Sequence, residues 1–309
     1  NMSIFQLKQN SLSQIKEMPF KLEREIQGLV EKNLDILLGL EFVKSEFTIS
    51  GTVQQLRIDT LAFDLKNKAF VIIEYKQDKS FSVVDQGYAY LSVMLNNKAD
   101  FILEYNESCG KVLKKADVDW SQSRVIFISQ AFTPYQKEAI NFKDLPIALW
   151  EIKQFSNQTI SFEEIRKLNA TESIKTVSAG NSAVDSVSKV VVVYTENDRL
   201  KDIPEDILEL YGQLRERILE LGNVEIKATK LYVAFTVNGS NFTDIAIQKK
   251  ALKLWINLSK GGLEDPYKLA RDVANIGHHG NGDYQLSISN ADKLDYIITL
   301  IKQGYQSKI

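Results

Sequence analysis

In the stretch LRIDTLAFDLKNKAFVIIEYK, residues 56–76, two arms rich in Val, Ile, Leu and Phe flank the polar residues 64–68. Such arms on either side of a polar run predict a β-hairpin. Asp59 interrupts the first arm, and Glu74 and Lys76 interrupt the second. Charges inside buried strands are costly unless they are paired or bind a metal, so the hairpin reads as the wall of a site. Side chains alternate between faces along a strand, which puts Glu74 and Lys76 on one face and Tyr75 on the other. A turn of two residues (Lys66 and Asn67) or of four (65–68) sets Asp59 opposite Glu74, with Cβ atoms about 4.5–5.5 Å apart. At that spacing two carboxylates can share a cation, and they repel each other without one. A three-residue turn puts Asp59 on the wrong face.

The flanking segments predict what this hairpin belongs to. Apolar residues at Leu22, Ile26, Leu29, Val30, Leu34, Leu37 and Leu38 have helical spacing, and Gly39 is a stop signal, so residues 20–40 predict a helix. Residues 42–50 predict a strand, 82–95 a helix, 99–105 a buried strand and 124–129 another strand. Thr133 and Pro134 open a helix to about residue 142, and residues 147–155 close the unit as a strand. This order predicts an α/β domain over residues 1–155, a mixed central sheet flanked by helices. Residues 156–189 turn to Ser, Thr, Asn and Ala, with a short helix at 162–168, and read as a linker. Residues 190–309 read as a smaller α+β domain: a first strand, a helix opening at Pro204, several strands, a helix at 265–277, a strand after Asp283 and a last helix at 292–303.

Composition excludes some classes. With 44% hydrophobic and 25% charged residues the chain is neither disordered nor a membrane protein in its make-up. No apolar run approaches the ~18 residues of a membrane helix. The first residues have no basic segment followed by an apolar one and predict no secretory signal. A sole cysteine, Cys109, excludes an intrachain disulfide and fits a reducing compartment, so a cytoplasmic location is expected. The net charge of −2 is not that of a plainly basic nucleic-acid-binding domain. Contact with nucleic acid must then use local patches, for which Lys66, Lys68, Lys79, Lys111, Lys114 and Lys115 are candidates.

Four features follow one another: an acidic helix with Glu23, then Asp59, then Glu74-x-Lys76, then Gln86-x-x-x-Tyr90. Taken alone, each has a plain reading as a solvated acid, a structural ion pair or a polar helix edge. Together and in this order, residues 20–155 resemble the PD-(D/E)xK nuclease superfamily, in particular its RecB-like branch and the NucS-type DNA endonucleases. The proline of the superfamily's name is absent, with Ile58 before Asp59, and the helix acid is either Glu23 or Glu25, of which Glu23 better matches the family's helix. The resemblance implies a restriction-endonuclease-like fold. It also implies metal-dependent phosphodiester hydrolysis of DNA, single-stranded or branched DNA included, in repair or defence. Asp59, Glu74 and Glu23 would hold Mg²⁺ or Mn²⁺, Lys76 would orient the attacking water, and Gln86 and Tyr90 would orient the lysine and meet the phosphate backbone. The alternative is a nuclease-fold protein that binds nucleic acid or regulates without cutting.

In the second half, the loop Gly277-His278-His279-Gly280-Asn281-Gly282-Asp283 pairs two histidines, but the chain has no other histidine, and a turn before the next strand is the simpler reading. Lys227, Lys230, Lys249, Lys250 and Lys253 interleave with Tyr232, Phe235 and Trp255, a mixture that suits single-stranded nucleic acid or equally an amphipathic sheet with a basic outer face. The region resembles a C-terminal module of unassigned function that accompanies nuclease-like domains, in proteins sometimes called predicted transport proteins, and a role in substrate or partner recognition is expected of it.

Overall fold

A computed structural model of the chain describes residues 3–49, 57–77, 81–167, 170–177, 181–277 and 280–309. The chain divides into two units, residues 1–193 and 194–309. The first unit runs β1 (Ile4–Lys8), β2 (Ser11–Ile15), β3 (Glu17–Met18), α1 (Glu23–Lys32), α2 (Leu34–Leu38), β4 (Glu41–Thr48), β5 (Arg57–Asp64), β6 (Ala69–Lys76), α3 (Val83–Asn96), α4 (Lys98–Cys109), β7 (Arg124–Ser129), α5 (Pro134–Ala139), β8 (Ile147–Phe155), β9 (Ile160–Glu164), α6 (Ile174–Val177) and α7 (Ser182–Ser188). Seven of these strands form a mixed sheet in the order β3-β8-β7-β6-β5-β4, with β9 on β8. Pairing is parallel from β6 to β7 to β8 and antiparallel elsewhere. The two parallel steps need crossovers, which α3 with α4 and then α5 supply.

Because strand side chains alternate, the sheet buries two cores. On one face Leu61, Phe63, Phe70 and Ile72 meet Tyr88, Leu91 and Met94 of α3, Phe101 and Tyr105 of α4, and Val184 and Val187 of α7. On the other, Ala62, Val71, Ile73 and Tyr75 meet Ile26, Val30 and Leu34 of α1 and α2. The helix expected over residues 20–40 is interrupted at Asn33, whose side chain turns back to the Leu29 carbonyl at 2.8 Å. Gly39 ends α2 in the left-handed region at φ 65°, the role expected of it.

The hairpin β5–β6 has the four-residue turn. Asp64 pairs with Ala69, Phe63 with Phe70, Leu61 with Ile72 and Thr60 with Ile73. Asp64 fixes the turn length, since its Oδ1 accepts from the amides of Lys66 and Asn67 at 3.1 and 3.0 Å and its Oδ2 meets Arg124 at 3.0 Å.

Several expectations need correction. Residues 99–105 are helical, not a strand: Phe101 and Tyr105 stand four apart and bury the same face of α4. Residues 156–189 are no linker. β9 joins the sheet where a helix was expected, and α7 seals the α3 face, so the boundary falls near Val193. The N-terminal hairpin β1–β2 went unread because its exposed Ser, Gln and Lys positions hide the alternation; its turn uses positive φ at Gln9 and Asn10.

The second unit runs α8 (Glu196–Leu200), α9 (Glu205–Leu219), β10 (Glu225–Ala228), β11 (Val233–Val237), β12 (Ser240–Gln248), β13 (Ala251–Ile256), β14 (Arg271–Asp272), β15 (Tyr284–Ile288) and α10 (Leu294–Gln306). Its antiparallel sheet has the order β10-β11-β12-β13-β15-β14. Leu210, Leu214 and Ile218 of α9 and Ile297, Leu300 and Ile301 of α10 pack on one face. Residues 190–193 form no strand, and residues 265–277 form turns on either side of the short strand β14 in place of the expected helix. There Lys268 adopts φ 52° and the Asp265 side chain accepts from the Ala270 amide at 2.7 Å, both of which break helical geometry. The unit is β-rich beside the mixed α/β first unit. Among the described residues no helix is long and apolar enough to cross a membrane.

Candidate active site

The paired register of β5 and β6 ends at Thr60 and Ile73, and Asp59 and Glu74 are the next residues along, at the end of the hairpin away from its turn. There side chains take over from the ladder. The Asp59 amide donates to Glu74 Oε1 at 3.0 Å, and the Tyr75 amide donates to Asp59 Oδ2 at 3.1 Å. Glu74 is 1% exposed, whereas Asp59 is half-buried. Glu74 Oε2 receives two further donors, the Tyr90 hydroxyl at 2.7 Å and Lys76 Nζ at 3.4 Å. Tyr75 faces away as expected, with its hydroxyl 3.2 Å from Thr60 Oγ1.

Burial drives the electrostatics. The Glu74 carboxyl is pushed up to about 7, first by burial and then by the neighbouring Asp59 charge, against the pull of Tyr90, the Asp59 amide and Lys76. Burial also raises Asp59, opposed by the Tyr75 amide and Lys76. Tyr90 is raised by burial and by Glu74, so its hydroxyl stays neutral and donates. The site thus holds two carboxylates whose joint ionisation is disfavoured, a state that a cation relieves.

Each expected residue can now be located. Asp59, Glu74, Lys76 and Tyr90 meet. Glu23 reaches the end of β6 from the opposite layer and accepts from the Gln77 amide, one residue beyond Lys76. Glu25 accepts from the Lys21 amide at 2.9 Å and serves its own helix start, so of the two helix acids Glu23 is the one directed to β6. Gln86 sits one turn before Tyr90 on α3 and is half-exposed. Among the described residues no three His, Cys, Asp or Glu side chains converge to hold a metal. Mg²⁺ and Mn²⁺ are hard ions that bind through one or two carboxylates and keep several waters, and Asp59 and Glu74 are the carboxylates that would supply such a site here.

Two neighbours escaped the sequence reading. The Gln27 amide nitrogen lies 3.0 Å from the Asp59 carbonyl and 3.1 Å from Glu31 Oε1, and Glu31 accepts from Thr60 at 2.6 Å. This network stands directly behind Asp59. Its sequence signal was spacing alone, since Gln27 and Glu31 are four apart on the face of α1 turned to the sheet. Arg57, two residues before Asp59, is exposed and pairs with Glu46 at 2.8 Å.

The lysine rim lies elsewhere. Lys66 and Lys68 belong to the hairpin turn, roughly 17 Å along the strand from Asp59 at about 3.3 Å per residue. Lys111 pairs with Glu41, whose partner Phe63 is also at the turn end. Lys79 and the two histidines of the second unit fall outside the described residues. In the second unit Phe235, Trp255 and Tyr232 are buried, at 0%, 2% and 6% exposure, which removes them as a stacking platform and leaves the amphipathic-sheet reading.

Residues 196–308 match the family model described as a domain of unknown function, DUF5655. Two solved structures align with this chain: EndoMS in apo form, at TM-score 0.25 and 12% identity over 45% of this chain and 59% of that one, and Pyrococcus furiosus SfsA in complex with Ca²⁺, at TM-score 0.24 and 17% identity over 46% and 64%. The chain therefore spans less than two thirds of either. An uncharacterized protein of Haemophilus influenzae is 50% identical over 304 residues, which cover 98% of this chain and 99% of that protein. Sharing half its residues over nearly the whole of both chains, this protein belongs to the family of that Haemophilus influenzae protein.

Proposed function

We propose that the first unit is a metal-dependent nuclease that hydrolyses DNA phosphodiester bonds with Mg²⁺ or Mn²⁺ at Asp59 and Glu74. The reading is carried by the even-length turn, which sets two carboxylates against each other with Lys76 on the same oxygen as Tyr90. When bound, the ion acidifies a coordinated water and offsets charge on the scissile phosphate. Asp59 and Glu74 fix the ion's place. Lys76, a compact charge with three donors, orients the attacking water and steadies negative charge as it develops. Glu23 holds the Gln77 amide and thereby the end of β6 from which Lys76 projects. Gln86 and Arg57, at the exposed side, meet the substrate backbone.

The test incubates the full chain with single-stranded, double-stranded and branched DNA and with RNA, with Mg²⁺, with Mn²⁺ or with EDTA, beside Lys76→Ala. Cleavage that needs metal and falls about 10²–10³-fold in the variant is expected, the size of loss when one charge-stabilising donor is removed. Cleavage in EDTA, or undiminished in Lys76→Ala, contradicts the mechanism. Binding of DNA without cleavage of any substrate supports a nuclease-fold binding protein instead.

A further inference from the structure

The oxygens of Glu74 are nearly fully engaged. A carboxylate offers about four lone-pair directions. Oε1 accepts from the Asp59 amide, and Oε2 accepts from both Tyr90 and Lys76. The Tyr90 bond is the shortest of the three at 2.7 Å, the Lys76 contact the longest at 3.4 Å. Tyr90 does not reach Glu74 by chance of a loose side chain. It projects from the middle of α3, a helix of 14 residues, whose N-terminus is capped by Ser82 accepting from the Asp85 amide. Three residues earlier, Gly87 lets the helix approach the sheet so closely that a Cβ there would stand 2.3 Å from Ile147 Cδ1. The hydroxyl is thus delivered to Oε2 by rigid elements. Lys76 carries its charge on a flexible stem and can swing away, but the tyrosine can release Oε2 only by rotating out of its place or by shifting α3.

We propose that Tyr90 is a latch on the metal site: its hydroxyl holds Glu74 Oε2 in the metal-free protein, and the ion binds by taking that oxygen from the tyrosine. The proposal rests on the metal reading given above. It assigns Tyr90 a role opposite to that of a supporting residue. Removing a group that merely orients Glu74 weakens metal binding, whereas removing a competitor strengthens it.

The measurement is Mn²⁺ affinity of the full-length protein by titration calorimetry and by electron paramagnetic resonance of free Mn²⁺, without nucleic acid. Tyr90→Phe keeps the ring and its packing and deletes only the hydroxyl; near-ultraviolet circular dichroism verifies the fold. Asp59→Asn, alone and combined with Tyr90→Phe, locates the bound ion. We expect Tyr90→Phe to bind Mn²⁺ about tenfold tighter, the order expected when a hydrogen bond to a charged group no longer has to be given up. Asp59→Asn should abolish binding in both backgrounds. Equal or weaker binding by Tyr90→Phe, with Asp59→Asn still abolishing it, overturns the latch and leaves the metal reading standing. Absence of binding in every form, or binding that survives Asp59→Asn, overturns both.

Discussion

Glu74 shows how one residue's surroundings set its chemistry. Its ordinary carboxyl value of 4.5 rises to about 7 in the folded chain. Between those values the folded protein keeps a proton that the unfolded chain has released. Stability of the metal-free protein must therefore fall as pH rises from about 4.5 to 7, in the opposite sense to a carboxylate held by an ion pair. Asp59 is raised as well and adds in the same direction. Urea unfolding in EDTA should show a loss on the order of 2–3 kcal/mol between pH 5 and pH 8. Glu74→Gln, which keeps the shape and carries no charge, should flatten most of that slope; a wild-type protein more stable at pH 8 than at pH 5 would contradict the burial argument. Adding Mn²⁺ should reduce the slope, because a bound cation favours the ionised pair.

Among the elements, α3 lies close against the sheet at Gly87. A methyl at Gly87 meets Ile147 at 2.3 Å and Phe127 at 3.6 Å in a core that offers little room. Gly212, within α9, has nothing within 4 Å. Gly87→Ala should thus destabilise by about 1–3 kcal/mol through overpacking, while Gly212→Ala should stabilise by about 0.5–1 kcal/mol through helix propensity. Thermal unfolding of the two variants gives the comparison, and destabilisation by both would leave propensity and packing unseparated. The same contrast between local and tertiary causes explains what the sequence made legible. The β5–β6 register could be read because apolar period and turn length agree, and Asp64 enforces the turn from within. β7 and the Thr133–Pro134 helix start were equally plain, since a buried parallel strand is a continuous apolar run and caps are local, while β8 shows such a run only at Ile147–Trp150. The seven residues 99–105 are apolar enough for a buried strand and too few for their period to decide; burial of Phe101 and Tyr105 together decides it for helix. At the site, Asp59, Glu74, Lys76 and Tyr90 were legible by order and spacing. Gln27 and Glu31 were not, because their contact with Asp59 and Thr60 depends on α1 lying across β5.

At the level of the whole chain, each unit carries its own apolar core, one pair of clusters in residues 1–193 and another cluster beneath α9 and α10. Calorimetry should accordingly resolve two transitions. Leu214→Ala, at a position 0% exposed under α9, removes buried methyl groups worth about 2–5 kcal/mol. It should lower one transition on the order of 10 °C and leave the other, and Mn²⁺ affinity, unchanged; a joint shift of both would show that the two cores melt as one. The topology of the first unit also has a kinetic consequence. Asp59 and Glu74 stand 15 residues apart across a four-residue turn, whereas Glu74 and Phe127 pair only after the whole α3–α4 crossover has been laid down. Short loops close at less entropic cost than long ones, so the hairpin that carries the two acids forms before β7 pairs with β6. During folding, the two acids are drawn side by side before the sheet that buries Glu74 is complete, and the hairpin's own aliphatic pairs must hold them together in the meantime.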